Sequence, residues 1–278
     1  MAEVVLKCSV AGSDLLFKLD LDENRHHQKV LIDHTKAGLL YERDVSLFMM
    51  RVLQHGDVFV DVGANIGYMT VLGGALVGPT GRVFAFEPGK NNLPELRHNI
   101  ALNGFKHVEV IESPVSDRVE DVDFYIYDGD GNGNALFDAG KIPNNDPTRT
   151  SKVSLVSATL DALRPRFQQA GPVKLLKMDA EGAESRIIQG GSEFLKQTRI
   201  PFIISELHPS ALHMMGTSPE ELRALMESHG YQTYVLPYEG NLPKFVPNGT
   251  AIFSKFIRNL LFTRPEYLAP YFPTEYFE

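Results

Sequence analysis

Cysteine is almost missing. Cys8 is the only one in 278 residues, so no intrachain disulfide can form, which agrees with a reducing compartment. Runs of lysine or arginine are missing too. The chain carries 27 basic against 35 acidic residues, a formal charge of −8. Without basic clusters, general binding to nucleic acid or to anionic membranes is not expected. No stretch reaches the ~18 consecutive apolar residues that span a bilayer. Met1 to Val10 lacks a basic segment followed by an apolar core, so no secretory signal is expected and the expected location is the cytoplasm. No internal repeat is present.

What the chain does have is an ordinary globular composition, 43% hydrophobic and 22% charged, enough for a full core in one α/β domain with an added lobe. Residues 3–20 read as two short strands around a turn at 11–14, a hairpin in an N-terminal extension covering 1–40. Residues 42–54 read as a helix. Apolar runs then alternate with helical stretches. Val58 to Val60 ends at Asp61, Val83 to Phe86 ends at Glu87, and Val108 to Ile111 follows. Val173 to Met178 ends at Asp179, and Phe202 to Ser205 ends near Glu206. Helices are predicted over 67–77, 92–103 and 218–229, the last with Ser218 as N-cap, Pro219 at N1 and Glu221 completing a capping box. Continuous apolar strands separated by helices require a parallel sheet covered on both faces. Residues 231–236 and 250–253 are expected to complete seven mostly parallel strands, in a domain spanning 41–255. Residues 128–151, rich in Gly, Asn, Asp and Pro, read as a long loop beside the site. The aromatic and Pro-rich segment 256–278 reads as a packed C-terminal extension.

The strongest chemical signal is Val58-Phe59-Val60-Asp61-Val62-Gly63-Ala64-Asn65-Ile66-Gly67, a strand ending at an acid and turning through glycine into a helix. Gly63 leaves room for a ligand against the backbone, and the start of the helix offers N–H groups to a carboxylate. Glu87, at the tip of the next strand, is placed to accept hydrogen bonds from a ribose diol. A dinucleotide site needs G-x-G-x-x-G, whereas this chain has Asn65 and Tyr68 at the second and third glycine positions. The pattern therefore favours S-adenosylmethionine, which has no pyrophosphate, over a nicotinamide cofactor. Ser113 or Ser116 is placed to meet the edge of the adenine, and Val115 its face.

These residues, with Tyr41-Glu42, Phe84-Ala85-Phe86-Glu87-Pro88, the segment Leu176-Lys177-Met178-Asp179-Ala180-Glu181-Gly182-Ala183-Glu184 and Ile204-Ser205-Glu206-Leu207-His208-Pro209, resemble the FkbM family of class I methyltransferases over about residues 40–255. The resemblance implies a Rossmann-like fold, S-adenosylmethionine as donor and O-methylation of sugar or natural-product hydroxyls, with N-methylation of a peptide side-chain amide as the alternative. It also implies that Glu42 reaches the donor's amino group. Asp61, Gly63, Asn65, Gly67, Glu87, Ser113, Val115 and Asp179 complete the expected donor set.

A neutral alcohol needs a base or a metal to become a nucleophile. His208 is expected to be that base, oriented by Asp179 or Glu206. The competing structural reading is that His208 caps the strand end and that Glu181 and Glu184 favour a helix N-terminus. Asp179, Glu206 and His208 could instead hold a divalent ion, a reading not favoured. Asn132, Asn134, Glu181 and His208 are expected near the acceptor, a small molecule or peptide, beneath a glycine-rich loop. That loop hints at a calcium site, but Ala139 stands where an EF-hand needs its bidentate Glu. His26, His27 and His55 read as surface or loop residues. Phe194 stands where a nucleophile elbow needs glycine, so a serine hydrolase has little support. A nicotinamide oxidoreductase and a non-catalytic cofactor-binding module remain as rivals of other classes.

Overall fold

In the computed structural model of the chain, residues 2–10, 13–127, 133–141, 146–240, 242–252 and 258–272 are described. The chain opens with the hairpin β1 (Ala2–Val10) and β2 (Ser13–Leu21), paired antiparallel, followed by α1 (His26–Lys36) and α2 (Arg43–Val52). The first βα units are β3 (Val58–Val62), α3 (Tyr68–Val77), β4 (Arg82–Phe86), α4 (Leu93–Leu102) and β5 (Val108–Ile111). A second antiparallel pair, β6 (Asp121–Tyr127) and β7 (Thr150–Val156), interrupts the alternation. It resumes with α5 (Leu160–Ala170), β8 (Val173–Met178), α6 (Glu184–Gln189), α7 (Ser192–Thr198) and β9 (Phe202–Leu207). The last elements are α8 (Pro209–Met214), α9 (Pro219–Ser228), β10 (Gln232–Val235), β11 (Lys244–Val246), β12 (Arg258–Thr263) and α10 (Pro265–Leu268).

The central sheet runs β11-β10-β12-β9-β8-β3-β4-β5. β9, β8, β3, β4 and β5 are parallel, and β12 is antiparallel to both β9 and β10. Burial alternates by face along the strands. Phe59 packs with α2 and α3 in one core, while Val58, Val60 and Val62 join Phe167, Ile187 and Phe194 in the other. Both faces are dry, which is why these strands read as unbroken apolar runs.

Two expectations change. The sheet has eight strands rather than seven; β11 is a three-residue edge on which Lys244 and Phe245 are exposed, so no burial pattern announces it. The inner strand is not 250–253 but β12, inside the segment assigned to a C-terminal extension. Leu260, Leu261 and Phe262 are fully buried there, whereas 250–252 lie outside any strand. Farther along that segment, Leu268 and Phe272 are buried and Phe272 stacks on Phe48 at 6.4 Å.

The hairpin is tied to the sheet domain by its inner face. Phe17, Leu19 and Leu21 are fully buried, and the Asp20 N–H donates to Asn99 Oδ1 at 2.7 Å. Asn99 in turn donates to the Ile66 carbonyl at 2.9 Å, fixing the turn that leads into α3. No helix among the described residues is long and apolar enough to cross a membrane.

Candidate active site

A cavity of about 530 Å³ opens beyond the carboxyl ends of β3, β4, β8 and β9, where ligands of open α/β sheets bind. One side of it is built by backbone. The turn after β3 is held to β4 by the N–H groups of Gly63 and Ala64, which both donate to the Phe86 carbonyl at 3.0 and 2.9 Å. Gly63 has φ +85°, and a Cβ there would stand 1.8 Å from the Asp179 carbonyl oxygen. Glycine is therefore required by the crossing of two strand-tip loops, and not only by ligand approach. Glu87 is 4% exposed. Its Oε2 accepts from the Asn65 N–H at 2.8 Å and its Oε1 from the Gly89 N–H at 2.7 Å. Asn92 also donates from its side chain to this carboxylate, so of the roughly four acceptor sites of a carboxylate one is left for a ligand hydroxyl. Burial pushes Glu87 up to about 7 against these N–H donors. Ser113, Pro114 and Val115 line the cavity together with Phe86, which suits an adenine. Ser116 is buried and turned to Asp117 at 3.0 Å, whereas Ser113 lines the cavity.

Two expected donor residues do not line the cavity. Asp61 is fully buried and accepts from Thr70 Oγ1 at 2.6 Å. Gly67 is the N-cap of α3, and a Cβ on it would meet Leu96 Cδ1 at 2.7 Å, so its role is helix packing. Tyr68, the residue that broke the dinucleotide pattern, is buried between Tyr41 and Phe17 in edge contacts at 5.4 and 5.9 Å.

The opposite side is acidic. Glu42 precedes α2 with φ 38°, Asp179 follows β8 and Glu206 lies on β9. One carboxylate oxygen from each lies within 4.8 Å of the others, close enough to share one cation. The set that converges contains Glu42 and not His208, which corrects the expected trio. Lys177 Nζ meets Asp179 Oδ2 at 3.0 Å from a side chain 3% exposed. Burial pushes Glu42 up to about 7, with Lys177 opposing, and pushes Glu206 well above the carboxylate range, with Asp179 and Glu181 adding to it. Glu181 lines the cavity, accepts from the Gly133 N–H and is pushed up to about 8 by burial and by Asp179. Glu184 instead turns back to accept from the Ala180 and Gly182 N–H groups at 2.9 and 3.4 Å, serving the start of α6.

His208 is the N-cap of α8, and its Nδ1 accepts from the Ala211 N–H at 3.0 Å. A neutral imidazole accepting at Nδ1 carries its proton on Nε2. With Nδ1 engaged as the cap of α8, Nε2 is the ring nitrogen left for other contacts. Asn134 lines the cavity as expected, and it is also fixed to its neighbours. Its Oδ1 accepts from the Tyr127 N–H at 3.1 Å and its Nδ2 donates to Asn91 Oδ1 at 2.9 Å, so it staples the loop to the wall. Asn132 lies outside the described residues. His26 and His27, read as surface or loop residues, sit at the start of α1 and line the cavity with Tyr41, Phe124, Tyr127 and Leu136. Nothing local in the sequence marks these aromatic and imidazole side chains, which come from segments about a hundred residues apart.

The strand order, with β12 antiparallel beside β9, and the cavity at the strand tips define a class I methyltransferase. The family model of the methyltransferase FkbM domain matches residues 61–233, and the chain belongs to that family. It is 30% identical over 177 residues, 61% of this chain and 70% of the other, to the 2-O-methyltransferase NoeI of Sinorhizobium fredii. The crystal structure of an FkbM methyltransferase from Methylobacillus flagellatus aligns at 15% identity with a TM-score of 0.42. That alignment covers 74% of this chain and 43% of the other. An S-adenosylmethionine-dependent O-methyltransferase from Thermotoga maritima aligns at 12% identity and a TM-score of 0.44, covering 93% and 77%. These two likenesses are too distant to bear on the site.

Proposed function

We propose that the chain transfers a methyl group from S-adenosylmethionine to a hydroxyl of a sugar or related small molecule. The observation that carries this reading is the division of one cavity between a buried ribose-type carboxylate, Glu87, and the three converging acids Glu42, Asp179 and Glu206. Glu87 suits a diol because two backbone N–H groups hold it in place, and Ser113 and Val115 suit an adenine. Glu42 and Asp179 suit an ammonium group at the methionine end. When bound, the donor supplies a methyl group activated by a positive sulfur.

The protein's remaining tasks are to align the acceptor and to take its proton. Glu206 is the group we assign as base. It lines the cavity at the end of β9, and burial raises its proton affinity well above that of an ordinary carboxylate. The His208 Nε2–H is then a donor available to the acceptor, and Tyr41, Phe124 and Tyr127 offer ring faces to it. The NoeI relative, a 2-O-methyltransferase by name, supports a hydroxyl over an amide.

Calorimetry with S-adenosylmethionine and with NAD, followed by methyl uptake onto a panel of glycosides and peptides, tests the reading. Tight donor binding with methylated glycoside is expected. NAD binding, or methylated peptide amide alone, would overturn it.

A further inference from the structure

Beneath the cavity lies a charged pair to which the reaction above gives no task. Lys177 stands one residue before the end of β8, and its Cα is the register partner of Asp61 on β3. Asp61 is fully buried, with Oδ2 on Thr70 and Oδ1 without a hydrogen-bond partner among the described residues. Above the pair, the lysine's Nζ reaches Asp179 Oδ2 at 3.0 Å. Tyr41, Glu42, Asp44 and Glu206 also face this ammonium electrostatically. Burial by itself disfavours a charged lysine, but Asp179, Glu42 and Asp61 outweigh it and strengthen the ammonium's hold on its proton. A buried charge of this kind persists only when paired.

We propose that Lys177 is a positioning residue for the methionine end of the donor: seated beside Asp61, it holds Asp179 through Oδ2 so that the other carboxylate oxygen faces the cavity. The inference rests on the donor reading above and adds a division of labour to it. Asp61, the acid at the end of the first parallel strand, acts on the ligand only through Lys177 and Asp179. One ammonium among several carboxylates also leaves negative charge unmatched, which a ligand cation completes. The nucleoside end, held by Glu87 and backbone, does not depend on Lys177.

That independence makes the test. Affinities are measured by calorimetry for S-adenosylmethionine and for 5′-methylthioadenosine, which keeps the nucleoside and lacks the amino acid. The variants are Lys177→Arg, Lys177→Met and the double variant Lys177→Met with Asp61→Asn. The double variant removes one buried charge of each sign, so it carries the measurement if Lys177→Met alone fails to fold. The expected result in either Met variant is at least about a tenfold loss for S-adenosylmethionine with 5′-methylthioadenosine changed less than about threefold, a split that Lys177→Arg partly reverses. Unchanged or tighter S-adenosylmethionine binding overturns the inference, as does an equal loss for both ligands, which marks a structural role. Wild-type protein that binds neither ligand overturns the donor reading and this inference with it. Wild-type binding with unaltered variants overturns this inference alone.

Discussion

The two halves of the cavity are built from different material. The half we assign to the nucleoside consists of strand tips and the turns that follow them: Gly63, Asn65, Glu87, Ser113 and Val115, on or after the adjacent strands β3, β4 and β5. Its hydrogen bonds run mainly to backbone N–H groups, with Asn92 adding one side-chain bond to Glu87, so its shape is set largely by the sheet. The acceptor half is assembled from outside those units. His26 and His27 come from α1, Phe124 and Tyr127 from β6, and Gly133, Asn134 and Leu136 from the loop beyond β6. Its polar contacts run between side chains and loops, as in the Asn134–Asn91 staple. A half built on the sheet can change little without losing the fold. A half built from appended segments can be reshaped for a new acceptor while the donor stays bound.

Substitutions can break this contrast at several depths. The largest effect is expected at the seam between the halves. Glu206→Gln should lower single-turnover methyl transfer by roughly 10²–10⁴-fold, the usual worth of a general base, while donor affinity measured by calorimetry stays within about threefold. Equal losses in rate and affinity would move Glu206 into the donor half. Next comes Glu87→Gln, which sets an amide against the Asn65 and Gly89 N–H groups. Donor Kd should weaken by about 10- to 100-fold, with little change in kcat at saturating donor.

Acidity should separate folding from binding. Glu42, Glu87 and Glu184 are pushed up to about 7 and Glu181 to about 8, chiefly by burial. Between the ordinary value of 4.5 and these raised values, the folded chain holds protons that the unfolded chain has released. This stabilising contribution is complete below about pH 4.5 and is lost as pH rises through 7 to 8. The Tm of the ligand-free protein should therefore fall between pH 5 and pH 8, while donor affinity rises over the same interval as Glu42 and Glu87 ionise. Parallel trends in Tm and affinity would contradict the assignment of these two acids to the donor.

Smaller effects test the acceptor wall. Asn134→Ala removes the staple to Asn91 and should raise the acceptor KM by about five- to tenfold with donor Kd unchanged, in line with one buried hydrogen bond. His208→Asn keeps an N-cap side chain at the start of α8, so thermal stability should be nearly unaltered. Turnover within about threefold of wild type is expected if the ring supplies only a donor hydrogen bond. A loss of a hundredfold or more would return the base to His208.

How legible each part was follows the same division. The parallel strands β3, β4, β8 and β9 stood out because both faces are largely buried, leaving mainly apolar runs, whereas β5 is half-buried throughout and was marked only by Val108, Val110 and Ile111. Glu87 stood out because an acid at a strand tip needs only the strand to be placed. β11 did not, being a short edge with an exposed Phe245. β6 and β7 went unread, because strands such as Thr150–Val156, which alternates half-buried and exposed residues, resemble polar loop. The capping geometry of His208 was faint for a different reason. A cap is made by the N–H three residues ahead in a helix of only six residues, Pro209–Met214, and such a helix leaves a faint periodicity.

The amino-acid order alone determined the doubly covered sheet, the acid-tipped strands and, through Asn65 and Tyr68, the preference for a nucleoside without pyrophosphate. These are short-range properties, written in periods of two and 3.6 and in the chemistry of single turns. The tertiary structure decided which acids meet. Glu42 joins Asp179 and Glu206 across 137 and 164 residues of chain, and Asp61 withdraws beneath Lys177 because β3 and β8 pair in that register. Distances between side chains so far apart in sequence are set by strand pairing and core packing.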